Sequence, residues 1–242
     1  MRIPRVYHPG TLECGSRIEL DDNAFNHCIK VLRLGEGAQL ILFNGDGREY
    51  PAELCEVAKK RALANIGEGY EPGRESPLQL IVGQSISRGE RMDYAIQKAT
   101  ELGVDRIAPL FTERCEVRLN QERQEKRQRH WQQIAISAGE QSQRCSIPEI
   151  EEPQPLSDWL GSVDAELKLV LHHHTLDPLG SLPKPASVAL LIGPEGGLTE
   201  EEVLQATAAG FRPVAFGPRV MRTETAPVAA AAILQYLWGD LG

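Results

Sequence analysis

The sequence predicts an α/β protein of two domains, in which a small, mostly β, barrel-like domain precedes a domain with a mainly parallel sheet. Residues 71–77 hold two prolines and a glycine, which neither a helix interior nor a central strand accommodates. Before this segment, short apolar runs are separated by turn signals, whereas after it apolar runs alternate with stretches of helical spacing. We therefore place the first domain at residues 1–72, a linker at 73–77 and the second domain at 78–242.

In the first domain, residues 22–34 predict a short helix and residues 40–43 predict a strand. This strand runs into Asn44-Gly-Asp-Gly47, a hairpin signal because both central residues of a type I′ turn need a positive φ. Residues 57–66 predict a further strand, although Lys59, Lys60 and Arg61 lie in its path.

In the second domain, buried parallel strands are predicted where the apolar runs are continuous, most clearly at residues 167–171 and 187–192. Thr199 and Glu202 form a capping box that opens a helix, which Gly210 closes. The remaining strands are predicted at 78–86, 104–111 and 213–216, and the remaining helices at 92–102, 121–138 and 226–238.

The composition is that of an ordinary globular protein and excludes a disordered or fibrous chain: 242 residues, 41% hydrophobic and 25% charged. The five cysteines are odd in number and form no CxxC pair, so we expect no disulfide framework, no zinc site and a cytoplasmic location. No apolar run approaches the roughly 18–20 residues that a membrane span needs, and the first residues lack the apolar stretch of a signal peptide.

Two glycine-containing loops follow predicted strands and carry the strongest functional signal. The first, Ile192-Gly-Pro-Glu-Gly-Gly-Leu-Thr199, joins a buried strand to a capped helix. Ligands of open α/β sheets bind beyond the carboxyl ends of the strands, and glycines allow close backbone approach. Because Glu195 already places a negative charge at the helix start, this loop suits a neutral or cationic ligand better than a phosphate. The alternative is a tight strand-to-helix turn without a ligand.

The second loop, residues 216–226, again lies between a short strand and a helix and contains Arg219, Arg222 and Glu224 among small residues. The two loops follow successive strands, so they are expected to converge on one pocket. The alternative is helix capping by Thr223 or Thr225 with a surface pair between Arg222 and Glu224.

The sequence resembles the RsmE-type 16S ribosomal RNA methyltransferases of the SPOUT superfamily nearly end to end. The Gly-Pro-Glu-Gly-Gly run alone would arise by chance in about one of 10⁴ chains of this length. The matching segments are Arg2-Ile-Pro-Arg5, Asn26-His27 with Val31-Leu-Arg33, Ser87-Arg-Gly-Glu-Arg-Met92, Gln97-Lys98 with Glu101-Leu-Gly103, Glu113-Arg-Cys115, Glu140-Gln141, Leu191-Ile-Gly-Pro-Glu-Gly-Gly-Leu198 and Gly217-Pro-Arg-Val-Met-Arg-Thr-Glu-Thr225. One departure is Asn44, where the family has Asp, and Asn suits that turn equally well.

The resemblance implies a PUA-like β-barrel that binds RNA, followed by a SPOUT domain whose last part is threaded into a trefoil knot. It implies a homodimer that binds S-adenosylmethionine (SAM) and methylates N3 of a uridine, position 1498 in the usual RNA numbering, in 16S rRNA of the small ribosomal subunit. The SAM-binding residues would be Leu171, His172, Ile192, Gly193, Pro194, Glu195, Gly196, Gly197, Phe216, Gly217, Val220 and Met221.

For catalysis we predict that Arg222 stabilises the uridine anion, with most of the rate enhancement coming from positioning. Glu195 is the carboxylate we place in the catalytic site, although Glu140, Glu224 or water are alternative acceptors of the N3 proton. A SPOUT ribose 2′-O-methyltransferase and a non-catalytic ribosome-assembly factor are the alternative functions. The amino-terminal motifs favour the base methyltransferase, and the intact loops argue against a decayed site.

A net charge of −8, from 26 Lys and Arg against 34 Asp and Glu, excludes a generic polyanion binder more than an enzyme of one structured RNA site. Each single cation could equally well belong to a solvated surface or contact RNA. His27 could equally well be a packed histidine or contact RNA. We predict RNA contacts from Arg2, Arg5, His27, Arg33, Lys59, Lys60, Arg88, Arg91, Arg114, Glu140, Gln141 and Arg144. His172-His-His174 lacks the further ligands of a metal site, so no metal is expected.

Overall fold

In a computed structural model, which describes residues 3–172 and 182–242, the chain forms two compact units. The first unit holds Met1–Glu75 together with Gly139–Ile147, and the second holds Ser76–Ala138 together with Pro148–Gly242. The short segment Gly139–Ile147 thus belongs with the amino-terminal part of the chain, although it lies far from it in sequence.

The first unit is built on a five-stranded sheet with the order β1-β3-β4-β5-β2. β1 pairs with β3 in parallel and the other pairs are antiparallel. Every second residue of the central strands is buried, as in Leu40 and Leu42 opposite Ala52 and Tyr50. The strands are β1 (Arg5–Tyr7), β2 (Arg17–Glu19), β3 (Gln39–Phe43), β4 (Tyr50–Val57) and β5 (Ala62–Ile66).

The predicted strand at residues 57–66 is wrong, because a turn interrupts it. β4 ends at Val57, the Ala58 N–H donates to the Arg61 carbonyl, and β5 begins at Ala62. Three consecutive cations, Lys59, Lys60 and Arg61, are all exposed in this turn. The two half-runs pair with each other as an antiparallel hairpin.

The predicted hairpin between β3 and β4 is confirmed, but its connection is longer than a two-residue turn. Gly45 and Gly47 have φ angles of 95° and 85°. The Asn44 side chain accepts a hydrogen bond from the Asp46 N–H at 3.2 Å, and the Asp46 side chain accepts one from the Arg48 N–H at 2.9 Å.

The short helix predicted at residues 22–34 begins as α1 (Asp22–Phe25) and continues as a π-helical turn over Asn26–Val31. Asp21 caps its start by accepting a hydrogen bond from the Ala24 N–H at 2.8 Å. The turn ends near Arg33, whose φ of 55° is uncommon for a residue with a side chain.

The second unit contains a seven-stranded sheet in which every pair is parallel, as the apolar runs predict. The strand order is β12-β10-β11-β6-β7-β8, and β9 also pairs with β7. β11 lies between β6 and β10, although both precede it in the chain. The strands are β6 (Gln79–Ser85), β7 (Arg106–Phe111), β8 (Glu149–Ile150), β9 (Gln154–Pro155), β10 (Leu167–Leu171), β11 (Ser187–Ile192) and β12 (Arg212–Val214).

Helices cover the sheet of the second unit and bury its apolar side chains. Trp159 packs against Phe211, with ring centroids 5.6 Å apart, and its indole lies directly on Gly83, where a Cβ would come within 2.4 Å of the ring. Among the described residues, no helix is both long and apolar enough to cross a bilayer. The helices are α2 (Glu90–Glu101), α3 (Gln121–Ser142), α4 (Leu156–Ser162), α5 (Glu200–Ala208) and α6 (Thr225–Trp238).

Two boundaries in the second unit matter for the site. The capping box that opens α5 is present, since Thr199 and Glu202 exchange side-chain and backbone hydrogen bonds as predicted. The strand predicted at 213–216 is shifted, because β12 ends at Val214. Ala215 and Phe216 therefore lie beyond its carboxyl end.

Candidate active site

A cleft opens in the second unit where three neighbouring parallel strands, β10, β11 and β12, reach their carboxyl ends. Its volume is about 830 Å³ including the open mouth. All twelve residues that the sequence analysis assigns to SAM line this one cleft. The lining residues that the sequence analysis did not assign to SAM are Arg114, Leu198, Ala215, Arg219, Thr223 and Ala226.

The first loop of the cleft needs glycine at two positions for different reasons. A Cβ on Gly193 would come within 2.9 Å of the Leu198 nitrogen, so the backbone leaves no room for a side chain. Gly197 has a φ of 69° and donates its N–H to the Pro194 carbonyl at 2.9 Å. Both glycines thus let the loop fold tightly and place no side chain at these two positions.

Glu195 is the carboxylate of this loop, and it is held by the start of α2. Its Oε1 accepts a hydrogen bond from Arg91 Nη1 at 2.8 Å and from the Arg88 N–H at 3.4 Å. Burial raises the pKa of the Glu195 carboxyl, but hydrogen bonds from its own N–H, Arg91 and Arg88 outweigh that effect and lower the pKa. Glu195 is therefore ionised and ion-paired at neutral pH, which makes it a weak base in this state.

A wide groove, of about 1640 Å³ with the open solvent above it included, adjoins the cleft and shares Arg114, Glu195 and Gly196 with it. Arg114 Nη1 donates to the Gly196 carbonyl at 2.8 Å, and Arg88 pairs with Glu116 at 2.8 Å. Four arginines and four glutamates line the groove: Arg88, Arg91, Arg114, Arg118, Glu90, Glu113, Glu116 and Glu195. A polyanion lying in this groove would pass directly beside the cleft.

Arg222 lies beside the cleft but does not line it, whereas its neighbours Met221 and Thr223 both do. The Arg222 side chain is exposed and makes no hydrogen bond or ion pair with the described part of the chain, so the surface pair with Glu224 that the alternative interpretation requires is absent there. Its carbonyl accepts from the N–H groups of Thr225 and Ala226, which places Arg222 immediately before α6.

The predicted RNA contacts of Arg5 and Arg144 are corrected, because both side chains are buried in the first unit. Arg5 pairs with Glu49 at 2.7 Å and also donates to the carbonyls of Glu140 and Arg144. Arg144 pairs with Glu75 at 2.9 Å. With exposures of 7% and 6%, these guanidinium groups stabilise the fold and do not face a phosphate.

The other predicted RNA contacts of the first unit lie on its surface. His27, Arg33, Lys59, Lys60 and Gln141 are exposed. Arg2 lies outside the described residues. Glu140 is half-buried and accepts the Tyr7 N–H at 2.8 Å, and burial raises the pKa of its carboxyl. Arg88, Arg91 and Arg114 line the groove of the second unit.

No group of three or more His, Cys, Asp or Glu residues that could hold a metal ion occurs in the described ranges 3–172 and 182–242. His172 lines the cleft after β10, whereas His173 and His174 lie outside these ranges.

Gln84 was not among the predicted site residues. It is a buried residue of β6 whose side-chain amide donates to Thr223 Oγ1 at 3.1 Å. A signal was present in the sequence, since Gln84 and Ser85 interrupt an otherwise apolar strand. Polar side chains at buried positions of a central strand require partners, and the partner here is 139 residues away.

Comparison with known proteins decides the family. A family model described as an RNA methyltransferase domain matches residues 74–235, and one described as an RNA methyltransferase PUA domain matches residues 20–67. Ribosomal RNA small subunit methyltransferase E of Buchnera aphidicola from Schizaphis graminum is 36% identical over 242 residues, covering 99% of this chain and 98% of the relative. This chain belongs to the ribosomal RNA small subunit methyltransferase E family.

Further relatives with the same name also match this chain over most or all of its length. The Bacillus subtilis protein is 32% identical, covering 87% of this chain and 86% of its own. The crystal structure of the Neisseria gonorrhoeae methyltransferase E bound to SAM has 41% identity and a TM-score of 0.93, with both chains fully covered. A further structure, from Legionella pneumophila and described only as that of a methyltransferase candidate with bound SAM, has 43% identity and a TM-score of 0.95, again with full coverage. The chain is thus an RNA methyltransferase with a PUA-type amino-terminal domain and a parallel-sheet methyltransferase fold.

Proposed function

We propose that this enzyme transfers the methyl group of SAM to N3 of a uridine in 16S rRNA of the small ribosomal subunit, at family position 1498. The observation that carries the proposal is the cleft at the ends of β10, β11 and β12, with a groove that holds four arginines and four glutamates directly beside it. Solved relatives with 41% and 43% identity over the whole chain bind SAM, and the relatives' name gives the small-subunit rRNA as substrate.

The cleft residues fit SAM by their chemistry. Gly193 and Gly197 keep side chains away from the loop, so its peptide groups can hydrogen-bond a nucleoside and an amino acid moiety. Leu171, Phe216 and Met221 supply the apolar part of the wall. When bound, SAM supplies an electrophilic methyl group on a sulfonium.

The groove holds the RNA beside this cleft. Arg88, Arg91, Arg114 and Arg118 contact phosphates, and the target uridine leaves the helix stack because its N3 edge is otherwise paired or covered. Exposed cations of the first unit, Arg33, Lys59 and Lys60, add further phosphate contacts from the PUA-type domain. Enzymes of ribosomal RNA work where ribosomes are assembled, so we place the protein in the cytoplasm.

Arg222 stabilises the negative charge on the uridine ring as N3 loses its proton and gains the methyl group. Its exposed, unpaired guanidinium beside the cleft is free to turn toward a bound base. Water takes the N3 proton, since the Glu195 carboxylate is already paired with Arg91 and has a lowered pKa.

The enzyme works as a homodimer whose carboxyl-terminal region, threaded as a trefoil knot, contributes apolar surface. Tyr236 and Leu237 near the end of α6 and Leu241 beyond it support this, since they are 66%, 37% and 53% exposed. Sedimentation equilibrium of the full chain tests the dimer, and a monomer at micromolar concentration contradicts it.

The proposed reaction is tested with purified protein, SAM and small ribosomal subunits from a strain that lacks its own enzyme of this family. We expect one new methyl group at uracil N3, located by mapping of the RNA. Methylation of a ribose supports the 2′-O alternative instead. If calorimetry detects no SAM binding and no methyl group is transferred, the non-catalytic assembly factor is the better description.

A further inference from the structure

One hydroxyl group, that of Thr223, connects three separate segments beneath the cleft. Thr223 Oγ1 donates to the carbonyl of Gly193, the first glycine of the cofactor loop, at 3.1 Å. The same oxygen accepts a hydrogen bond from Gln84 Nε2 at 3.1 Å. Thr223 is only 5% exposed and directly follows Arg222. Segments around residues 84, 193 and 223 are therefore tied at one point.

The proton positions in this group follow from its geometry. Gln84 Nε2 also donates to the Ser85 carbonyl at 3.1 Å, which can only accept, so the amide nitrogen must face this side. The single Thr223 hydroxyl proton is used on Gly193, so the Ser87 hydroxyl, 3.4 Å away, points its own proton at Thr223 Oγ1. Every donor in the group has an acceptor.

In this arrangement one of the two polar atoms of the Gln84 side chain has no hydrogen bond. Its side chain is 1% exposed, and within the described residues its Oε1 has no hydrogen-bond partner. A buried acceptor without a partner costs free energy, so a residue chosen for stability alone would be apolar, as Leu80, Ile81 and Val82 earlier in β6 are. The amide is thus retained for what its nitrogen does, which is to hold the Thr223 hydroxyl.

Two sets of hydrogen bonds hold the backbone that begins at Arg222. The Arg222 carbonyl accepts from the Thr225 and Ala226 N–H groups at 2.9 and 3.0 Å. The hydroxyl of the next residue, Thr223, anchors the chain to the cofactor loop. Because the Arg222 side chain has no partner of its own among the described residues, these backbone restraints decide where its guanidinium can reach.

We infer that Thr223, held by Gln84, is a positioning residue that sets Arg222 relative to the cofactor loop. The inference rests on the proposed role of Arg222 in charge stabilisation. Misplacement of a catalytic group by about 1 Å can cost about 10²-fold in rate. Loss of the Thr223 hydroxyl should therefore lower turnover far more than it lowers stability.

The test compares Thr223→Val, which removes the hydroxyl at nearly constant volume, with Thr223→Ser, which keeps it. Thr207→Val is the matched control, because that exposed hydroxyl only donates to the Val203 carbonyl within α5. Transfer of labelled methyl groups to small subunits gives kcat and KM. We expect kcat to fall by about 10- to 100-fold in Thr223→Val, and to stay within about threefold of wild type in Thr223→Ser and Thr207→Val.

The double variant Thr223→Val with Arg222→Ala separates positioning from general damage. If Thr223 acts through Arg222, the double variant is no slower than Arg222→Ala alone. If the two losses multiply, or if Thr223→Val retains wild-type kcat, or if Thr223→Ser is as slow as Thr223→Val, the inference is overturned.

A second variant, Gln84→Leu, tests the same inference if Thr223→Val folds poorly. Gln84→Leu removes the hydrogen bond to Thr223 and also the unpartnered buried Oε1, so its melting temperature should match wild type while kcat falls severalfold. An unchanged kcat in this variant contradicts the inference.

The assay counts methyl groups on any RNA atom, and the atom is mapped separately. A wild-type enzyme that methylates another atom rejects the proposed function and leaves the Thr223 comparison measurable, whereas no transfer at all rejects both.

Discussion

Arg5 Nε donates to Glu49 Oε1 at 2.7 Å inside the first unit, where the two side chains are only 7% and 1% exposed. The Arg5 guanidinium also lies 4.4 Å from the centroid of the Phe43 ring and donates to the Glu140 carbonyl near the end of α3. A single buried guanidinium thus ties the sheet of this unit to the segment Gly139–Ile147.

Arg5→Ala should destabilise the protein by about 3 kcal/mol, because it leaves the buried Glu49 carboxylate with fewer partners. Urea unfolding followed by circular dichroism measures the loss. Arg61→Ala is the control, since Arg61 forms an ion pair with Glu56 in which both side chains are exposed. Similar unfolding midpoints for the two variants would show that burial of the Arg5–Glu49 pair is unimportant.

Acid should weaken the first unit through Glu49 and Glu75. Burial raises the pKa of each carboxyl, but Tyr70, Arg5 and Arg74 around Glu49, and Arg144 and Ser146 around Glu75, outweigh burial and lower the pKa below 4.5. A lowered pKa in the folded state gives stability that is present above pH 4.5 and lost as pH falls through the folded-state pKa.

Thermal melting between pH 7 and pH 3 checks this pH dependence with Glu75→Gln. The variant should melt lower than wild type at pH 7 and lose less stability below pH 4.5. Burial raises the pKa of the Glu140 and Glu151 carboxyls, so protonation of these two groups stabilises the folded protein as the pH falls. The quantity to compare is therefore the difference in melting temperature between variant and wild type at each pH. Parallel melting curves over the whole pH range would rule out the Glu75 contribution.

Two alanine substitutions in the first loop should differ in cofactor affinity. Gly193→Ala places a Cβ 2.9 Å from the Leu198 backbone nitrogen, so the loop must shift and SAM affinity should fall by about tenfold or more. Gly196→Ala meets only the flexible Arg114 side chain at 3.4 Å, and the loss should stay below about threefold. Calorimetric titration with SAM compares them, and equal affinities would contradict this account of the loop.

Arg222→Ala should lower kcat by about 10²-fold and leave SAM affinity within about twofold, because Arg222 lies outside the cleft lining. Uridine N3 ionises above neutral pH, so the ratio of wild-type to variant kcat should shrink as pH rises. Arg127→Ala, on the exposed face of α3, is the control. Unchanged turnover in Arg222→Ala would remove Arg222 from the proposed mechanism.

Arg88→Ala should weaken RNA binding and reduce the slope of log affinity against log salt by about one. Arg88 lies in the groove, where an RNA phosphate can replace its exposed partner Glu116. Lys184→Ala removes the same charge before the amino end of β11, away from the cleft, and should leave the slope unchanged. Filter binding of a small-subunit RNA fragment at several salt concentrations makes the comparison.

Local sequence signals predicted much of this fold. The strand bounds 167–171 and 187–192 and the Thr199–Glu202 capping box are all confirmed, because continuous apolar runs and caps act within a few residues. The two glycine loops were predicted to converge, and they line one cleft. The strand predicted at 57–66 was wrong, because the exposed cations Lys59 and Lys60 lie in a turn that divides it.

Long-range partners could not be predicted from local patterns. Arg5 and Arg144 have the appearance of surface cations in the sequence, and only the fold shows that Glu49 and Glu75 neutralise them in the interior. Thr223 and Gln84 are 139 residues apart in the sequence, so the residues next to either one do not predict their contact. Knowledge of the partner's position requires the sheet order, which periodicity does not give.

The position of β11 has a consequence for the order of events during translation. β6 and β10 are synthesised before β11, yet they cannot become sheet neighbours, because the place between them belongs to residues made later. The cleft further requires the segment that follows β12 and the first turn of α6. A nascent chain therefore carries no complete cofactor site until the first turn of α6 has been synthesised.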